Sequence, residues 1–458
     1  MFAISQQTGK TIKRRHSIVN KEVNYTIEFY RFMLAINFCL VHALMVFPMF
    51  VFGSNVPFFY AGLDVIVPFM AFSGYFMMKG FVKQEPAAKL MHRSAGAQAW
   101  GYLKSRMKGL GPTYLTASLF GWLMINIWNG NRILDWPIHL LNSVWELFGL
   151  QITGAGFGNP SVGEAWFPEP GAWPPVQMLG SPLWFISGIF VAGTMIYFLL
   201  AYKKELFLGF IAPVTTLIFY STHYLGHEQP MWYQVTDIGG LHIAQGWPEI
   251  FVGLSLGCLL YVAVDKLKGK EFSKGMIAFL TIVQIIMTII VWERSWVPIW
   301  IPIGIYFNLG WANVHLLTLI FTFLVLLNVD KCTRFKLFSS KIWATPGRMG
   351  MYFYMLHWPM LYVVAMCLGM RGMDLSYITM DNMMEAMPDV IVKFILLFVI
   401  TVVVSLIVAY FFMKLDKNKI QPWLNTRPWF SREQAAKEDA AEAAEAAQVK
   451  ALMAEQNQ

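Results

Sequence analysis

The feature that most constrains this chain is a series of ten apolar windows, each about 20 residues long, which as a helix matches the hydrocarbon thickness of a bilayer. The composition agrees, since 57% of the residues are hydrophobic and 14% are charged, against about 25% charged in a soluble protein. We therefore predict an all-α, polytopic membrane helix bundle with about ten transmembrane helices. The windows cover residues 28–52, 58–78, 109–128, 182–202, 205–223, 241–263, 275–292, 312–330, 349–369 and 390–413.

The sequence divides into three parts by composition. Residues 1–21 are polar and basic, and they predict a cytoplasmic N-terminal segment without a cleaved signal peptide. Residues 22–420 contain all the windows and predict one transmembrane domain. Residues 421–458 predict a cytoplasmic tail rich in Ala and Glu, which is a solvated helix, a disordered segment or a partner-binding helix. The apolar stretch 297–308 is short and contains Pro298 and Pro302, so we expect a re-entrant or interfacial segment.

Positive charge is distributed unevenly between the predicted loops. The formal net charge is +8, and most cations fall in alternate loops, whereas the other set holds only Arg132, Arg294 and Arg371. This asymmetry predicts that both termini are cytoplasmic. The excess charge therefore indicates topology, with membrane lipids as partners, and it does not predict binding of nucleic acid.

Arg31 and His42 lie inside the first window, eleven positions apart. Eleven steps of ~100° bring both side chains to nearly the same helix face, with ~16 Å between their backbones along the axis. Titratable groups in a membrane span are costly, so each is a candidate functional residue. Arg31 either binds a phosphorylated or carboxylated donor or pairs with Glu28, three residues earlier. His42 is either a proton acceptor or a buried histidine bonded to a neighbouring helix.

The second window contains a single acid, Asp64, and ends near Ser73-Gly74-Tyr75-Phe76. We expect Asp64 near the depth of His42, where a carboxylate can hold the imidazole tautomer and stabilise the imidazolium. Alternatively, Asp64 caps the helix or pairs with a structural arginine.

Glu249 and His357 also lie inside predicted spans, in the sixth and ninth windows. Both positions are costly in hydrocarbon, so each residue either makes hydrogen bonds within the bundle or contributes to a functional site.

A basic run, Lys104-x-Arg106-x-Lys108, precedes the third window and leads to Pro112-x-Tyr114. Cations at alternate positions before a span are typical of anchoring at the cytoplasmic face. The same residues also suit an anionic, phosphate-rich donor.

The longest predicted outer loop covers residues 129–181 and is rich in Gly, Pro and Trp. Residues 133–150 within it can form a helix on the outer surface. Trp166, Trp173 and Trp184 flank its Pro-rich part. These tryptophans belong either to the aromatic belt at the headgroup level or to a cleft that stacks on a sugar ring.

Metal and disulfide chemistry are not indicated. The four cysteines are scattered without a paired framework. His223 and His227 have the spacing of helical zinc ligands, with Glu228 adjacent, but a third strong ligand is missing, so we predict no metal.

Together these motifs resemble the acyltransferase-3 family of membrane O-acyltransferases. The resemblance implies transfer of an acyl group, usually acetyl from acetyl-CoA, to a hydroxyl of a cell-envelope glycan or related acceptor. It also implies a bacterial cytoplasmic membrane protein in which His42 is catalytic and Arg31 acts beside it. The motifs are Glu28-x-x-Arg31 with His42, Asp64 with Ser73 to Phe76, Lys104-x-Arg106 with Pro112-x-Tyr114, Pro182-Leu-Trp184-Phe185, and Tyr352 through His357-Trp358-Pro359.

Under this reading we expect direct acyl transfer, with His42 as general base oriented by Asp64 or Glu249. The phosphates of acyl-CoA would lie on the cytoplasmic side, and a glycan or lipid-linked saccharide would be the acceptor. A covalent acyl-enzyme relay through a Tyr or Ser stays open. The expected donor-side residues are Lys104, Arg106, Lys108, Tyr114 and Ser73, and the expected acceptor-side residues are Trp184, Glu249, His357 and Trp173.

Two other classes of function remain at this point. Buried Arg, Asp, Glu and His side chains in a bundle of spans also suit a proton-coupled transporter, although the chain shows no repeated half. A sensor or assembly scaffold that uses the outer Trp-rich loop would bind a ligand without turnover.

Overall fold

The computed structural model describes residues 24–52, 66–150, 181–226, 235–238, 241–244, 246–296, 311–370 and 383–430. Its main elements are long helices joined by short helical turns and one small antiparallel hairpin, β1 (Val235–Ile238) and β2 (Leu241–Ala244), in which Val235 pairs with Ala244. The long helices are α1 (Tyr25–Phe52), α2 (Ile66–Leu90), α3 (Ala95–Asn129), α4 (Trp184–Leu206), α5 (Ala212–Gly226), α6 (Gly246–Leu267), α7 (Lys274–Trp296), α8 (Trp311–Leu327), α9 (Ala344–Cys367) and α10 (Met383–Leu415).

The predicted helical bundle is confirmed, and each predicted window overlaps one long helix. Within the described parts of the chain, three helical stretches are long and apolar enough to cross a membrane by length and composition. These stretches are Trp184–Phe219, Pro248–Leu267 and Ile391–Asn425. The number of ten spans and the cytoplasmic position of both termini therefore stay predictions.

Two helices extend well beyond their predicted spans. The second window ends at 78, yet α2 continues to Leu90, and α3 begins at Ala95, before the window at 109. Ser94 caps α3, because its hydroxyl accepts from the Ala97 amide at 3.1 Å. The basic loop predicted between the two spans is therefore largely a pair of helical extensions.

Small residues let α2 and α6 approach closely. Gly253 and Gly257 are spaced by four positions and so lie on one face of α6. A Cβ at Gly257 would overlap the Ala71 carbonyl oxygen, and one at Gly74 would overlap the Leu254 carbonyl. Backbone contact of this kind is typical of small-residue helix pairs in membranes.

A second close approach joins α1 to α9. A Cβ at Gly347 would overlap Glu28 Oε2 and would lie 2.7 Å from the Glu28 Cα. One turn further along α9, a Cβ at Gly350 would lie 3.4 Å from the Arg31 carbonyl oxygen. These two glycines allow α1, which carries His42, and α9, which carries His357, to pack closely together.

The chain remains helical after α10 and past residue 420, the predicted end of the transmembrane domain. It passes through a π-helical turn (Asp416–Ile420) into Gln421–Asn425, followed by a short turn at Pro428–Phe430. Asp416 is buried and accepts from the Tyr352 hydroxyl at 2.7 Å. Gln421 donates to the Lys108 carbonyl at 2.8 Å. The first part of the predicted tail therefore packs on the bundle.

The segment 133–150 lies along α3. The single surface helix expected there is replaced by short helices, Ile133–Asp135, Trp136–Asn142 and Val144–Leu147. The Trp122 indole donates to the Trp136 carbonyl at 3.1 Å, and the Tyr114 hydroxyl donates to the Glu146 carbonyl at 2.5 Å. These contacts lie about two turns apart on α3 and hold the segment against it.

Candidate active site

Two buried histidines from different helices meet inside the bundle. Nδ1 of His42 on α1 lies 2.8 Å from Nε2 of His357 on α9. His42 is 3% exposed and His357 is fully buried. A buried polar side chain requires a hydrogen-bond partner, and here each imidazole supplies the other with one. The sequence left open that His42 is bonded to a neighbouring helix and that His357 makes a hydrogen bond within the bundle. The contact between the two imidazoles fulfils both alternatives.

The backbone of α9 assigns the protons in this pair. Nδ1 of His357 lies 2.7 Å from the Tyr354 carbonyl oxygen, which can only accept, so this nitrogen carries hydrogen. In a neutral His357, Nε2 then accepts the proton of His42 Nδ1. The hydrogen-bond network thus leaves Nε2 of a neutral His42 without hydrogen, as a general base requires.

Aromatic rings surround the histidine pair. Phe38 stacks on His42 at a centroid distance of 5.9 Å, and Trp358 meets the same ring edge to face at 5.4 Å. On the other side, Phe353 stacks on His357 at 5.8 Å. An apolar surrounding of this kind excludes water, so the hydrogen bonds inside it are stronger than they would be in solvent.

The start of α4 is tied to the same region. The Tyr354 hydroxyl donates to the Pro182 carbonyl at 2.6 Å, in the turn Ser181–Leu183 that precedes α4. Trp184, the first residue of α4, is 7% exposed. Trp184 is therefore a buried residue that directly follows the turn that Tyr354 holds. The turn thus connects Trp184 to Tyr354, whose carbonyl oxygen also accepts from His357.

Arg31 lies on α1, on the side predicted to be cytoplasmic. Its Nη1 is 3.2 Å from Glu28 Oε1, and the Arg31 side chain is 27% exposed. Pairing with Glu28, one of the two expected alternatives, is thus the observed contact. Glu28 Oε2 is buried and makes no hydrogen bond within the described part of the structure. The carboxylate consequently holds the guanidinium from one side, and Arg31 retains access to solvent.

The basic run of α3 divides between two faces of the helix. Lys104 lies near the rings of Trp100 and Trp429, and Lys108 donates to Asn425. Both lysines therefore face residues 421–430, the C-terminal segment that follows α10. Arg106 instead lies over the Tyr102 ring, 5.0 Å from its centroid. The structure does not bring all three predicted donor-binding cations together.

The Arg106 face of α3 meets α4. Tyr102 stacks on Tyr197 at 4.8 Å, and a Cβ at Gly193 would meet the Tyr102 hydroxyl at 2.7 Å. The Tyr197 hydroxyl is itself 3.1 Å from Gln84 Oε1 on α2. Arg106 and two tyrosines, Tyr102 and Tyr197, therefore lie together where α2, α3 and α4 meet.

The other predicted site residues are dispersed. Tyr114 is buried against the 133–150 segment, Ser73 is half-buried on α2, and Glu249 is 8% exposed in the first turn of α6. Asp64 and Trp173, like Trp166 and the stretch 297–308, lie outside the described residues. Their predicted roles stay predictions.

Sequence reasoning did not find two contributors to these arrangements. The Tyr354 carbonyl acts through the backbone, and its only signal is that Tyr354 precedes His357 by three residues. The other contributor is Tyr102, whose ring lies under the Arg106 guanidinium. Its position four residues before Arg106 places both on one helix face, which was a usable signal.

The fold and the site define a helical membrane protein with a hydrogen-bonded histidine pair in its core. This chain belongs to the acyltransferase-3 family, because the family model, described as an acyltransferase domain, matches residues 24–414. No curated protein and no solved structure matches the chain significantly. Family membership supports a membrane acyltransferase and does not favour the transporter reading.

Proposed function

We propose that this protein is a membrane O-acyltransferase of the bacterial cytoplasmic membrane. It transfers an acetyl group from cytoplasmic acetyl-CoA to a hydroxyl of an extracytoplasmic or lipid-linked glycan. The observation that carries the proposal is the hydrogen-bonded chain from His42 through His357 to the Tyr354 carbonyl. This chain leaves an unprotonated nitrogen on a buried histidine within an acyltransferase domain.

The reaction begins with proton transfer to His42. Nε2 of His42 takes the proton of the acceptor hydroxyl as its oxygen attacks the thioester carbonyl carbon. The C–O bond forms, and the carbonyl electrons move to oxygen. As the intermediate collapses, the C–S bond breaks. The CoA sulfur then receives from His42 the proton that came from the acceptor hydroxyl. The products are the acetyl ester and CoA, so atoms and protons balance without another reactant.

His357 holds the base in its reactive form. While His42 is protonated, its Nδ1–H donates to His357, and the positive charge is shared along the hydrogen bond. In serine hydrolases a carboxylate performs the equivalent task. Here a neutral imidazole anchored by a backbone carbonyl replaces it, because that is the partner 2.8 Å from His42. His357 is thus proposed as a positioning residue and not as a direct acceptor contact.

The donor is proposed to bind at the end of the bundle that carries Arg31 and Arg106. Arginine recognises phosphate through paired hydrogen bonds. Arg106 beside Tyr102 supplies such a group on the bundle-facing side of α3. Arg31, which lies ~16 Å along α1 from His42, guides the thioester arm inward. Lys104, Lys108, Tyr114 and Ser73 remain weaker donor-side candidates.

The acceptor is proposed to enter from the opposite side. Trp184 stands next to the turn held by Tyr354, and Glu249 is a buried acid at the start of α6. Aromatic side chains with a few placed polar or charged groups are the usual lining of a small-molecule site. Trp173 keeps its proposed role as a stacking residue, and His357 takes the orienting role that was expected of Asp64 or Glu249.

The experiment that tests this function measures acetyl-CoA binding and release of free CoA by the purified protein in detergent. Wild type is compared with His42→Ala and Arg31→Ala. The matched control is His92→Asn, because His92 is exposed between α2 and α3 with φ 49°, a conformation that Asn tolerates. Binding with CoA release that depends on His42 supports the proposal. Absence of acetyl-CoA binding in wild type would overturn the proposed donor.

A further inference from the structure

Three tryptophans are exposed together where α3 meets the C-terminal segment. Trp100 is 44% exposed, Trp423 54% and Trp429 55%. The Trp100 and Trp429 rings meet edge to face at a centroid distance of 5.7 Å. Exposed tryptophans in a membrane protein are enriched at the headgroup level, where the indole is both apolar and able to donate a hydrogen bond.

Cations accompany these rings. Nζ of Lys104 lies 5.8 Å from the centroids of both Trp100 and Trp429. The Arg427 guanidinium carbon lies 4.2 Å from the centroid of Trp423. Each ring therefore has a positive group at cation–π distance. We name this group of five residues the interfacial surface: Trp100, Lys104, Trp423, Arg427 and Trp429.

The interfacial surface is held in place by hydrogen bonds behind it. Nζ of Lys108 donates to Asn425 Oδ1 at 2.5 Å and to the Phe430 carbonyl at 3.2 Å. The Gln421 amide donates to the Lys108 carbonyl at 2.8 Å. These contacts fix the C-terminal segment on α3, so the tryptophans and cations belong to a built surface.

The same face of α3 continues as an apolar, exposed stripe. Leu115 and Leu119 follow Lys104 by eleven and fifteen positions and are 44% and 39% exposed. At ~100° per residue these positions lie within about 60° of Lys104. Exposed leucines on a membrane helix face acyl chains. Lys104 therefore lies on the lipid-facing side of α3, at the end of this apolar stripe. Arg106 points to the opposite side, toward α4.

Helix α10 gives the same result from the other element. Phe411 is 65% exposed and Leu415 48% exposed, immediately before the chain turns into the segment that carries Trp423. Two lipid-facing stripes thus end at the interfacial surface. This continuity distinguishes the surface from the bundle-facing Arg106 side proposed for the donor.

We propose that the interfacial surface binds the headgroups of anionic phospholipids in the cytoplasmic leaflet. Lys104 and Arg427 would neutralise lipid phosphates, and the three indoles would lie at the boundary with the acyl chains. The proposal rests on the membrane location of the protein and not on acyl transfer. Its failure and the failure of the proposed function are therefore separately visible.

The test measures lipid selectivity of the purified full chain. Delipidated protein in detergent receives equal amounts of dioleoyl phosphatidylglycerol and dioleoyl phosphatidylcholine, and retained lipid is counted by native mass spectrometry. The charge variant is Lys104→Gln with Arg427→Gln. A matched control replaces Lys268 and Lys270 by Gln, since both are exposed lysines after α6, away from these tryptophans.

We expect wild type and control to retain phosphatidylglycerol preferentially. In the charge variant, this preference should fall about fivefold for each cation removed. A second variant, Trp423→Leu with Trp429→Leu, should lower retention of both lipids, since the indoles serve any headgroup. Both variants change exposed side chains, apart from the half-buried Lys104, so a folded protein is expected and is checked by thermal unfolding.

Two results would overturn the proposal. One is equal selectivity in wild type and in the charge variant, which would show that lipid phosphate binds elsewhere. The other is displacement of phosphatidylglycerol by coenzyme A in wild type but not in the charge variant. That outcome would assign Lys104 and Arg427 to the soluble donor.

Discussion

Nδ1 of His42 and Nε2 of His357 lie 2.8 Å apart, although 315 positions separate the two residues in the chain. The contact joins the first and ninth long helices of the bundle. The Tyr354 carbonyl, at 2.7 Å from His357 Nδ1, sets the direction of the hydrogen bonds. Among the described residues it is therefore His357, and not a carboxylate, that gives His42 the tautomer of a general base.

The first prediction concerns His357. Replacing His357 by Ala leaves the Nδ1–H of His42 without its acceptor and frees the imidazole to adopt the other tautomer. We expect kcat for CoA release to fall about 10²-fold or more, because a wrong tautomer costs up to ~10⁴-fold in serine proteases. KM for acetyl-CoA should change little.

His357→Gln is the matched variant for this prediction, because the amide oxygen can still accept from His42. It should retain more activity than His357→Ala at comparable thermal stability. An alanine variant with wild-type kcat would show that His357 only fills space in the core.

The second prediction concerns the contact of α1 with α9. Gly347→Ala places a Cβ 2.7 Å from the Glu28 Cα, so the helices must separate. We expect a loss of about 1–3 kcal/mol in stability, typical of overpacking. Thermal unfolding in detergent measures it.

Gly350→Ala is the control for that contact, one turn further along α9. Its new Cβ would lie 3.4 Å from the Arg31 carbonyl, an ordinary contact, and alanine favours helix by up to ~1 kcal/mol. A larger loss in Gly350→Ala than in Gly347→Ala would contradict the described helix approach.

The third prediction separates the two faces of the basic run. Arg106→Gln should weaken acetyl-CoA binding about tenfold, since a hydrogen bond to a charged group contributes ~1.5–3 kcal/mol. Lys108→Gln should change it far less, because Lys108 is bonded to Asn425 and the Phe430 carbonyl. Equilibrium binding of acetyl-CoA to both variants provides the comparison, and a stronger effect of Lys108→Gln would refute the division.

The fourth prediction concerns pH. Burial alone would raise the pKa of Glu85, but the hydrogen bonds and charges of Lys204 and Lys89 lower it below its ordinary value. A lowered folded-state pKa stabilises the protein above the unfolded value, about 4.3 for Glu, and this stabilisation is lost as pH falls through the folded value. Wild type should therefore exceed Glu85→Gln in stability at pH 6 and lose that advantage in acid.

Two lysine variants show which of the two ion pairs of Glu85 provides this stabilisation. Nζ of Lys204 is 2.8 Å from Glu85 and its side chain is 28% exposed, whereas the Lys89 side chain is 75% exposed. Lys204→Gln should reproduce most of the loss, and Lys89→Gln little, since exposed pairs contribute least. Thermal unfolding between pH 3 and pH 7 measures all three variants, and a constant difference between wild type and Glu85→Gln across that range would exclude the ion pair as its source.

The sequence was sufficient for the helices but not for their contacts. Apolar windows predicted the long helices because hydrophobic length is a local property. The meeting of His42 with His357 depends on which helices pack together, and no local pattern reports that. Their proximity is allowed by Gly347, whose importance is visible only once Glu28 is known to face it.

The division of the basic run lay partly within reach of the sequence. Helical periodicity alone places Lys104 with Lys108 and Tyr102 with Arg106 on different faces. It does not say which face meets α4 and which meets the C-terminal segment, because that depends on packing. The helix ends were also missed, since α2 and α3 continue as polar helices where the apolar signal stops.

The most direct test of the central claim measures CoA release from acetyl-CoA by His42→Ala beside wild type, with and without added imidazole. Loss of the base should lower the rate by about 10²–10⁴-fold while acetyl-CoA binding and thermal stability are retained. Imidazole in solution should restore a measurable part of the rate. A folded His42→Ala protein that releases CoA at a near-normal rate would contradict the assignment of His42 as the general base.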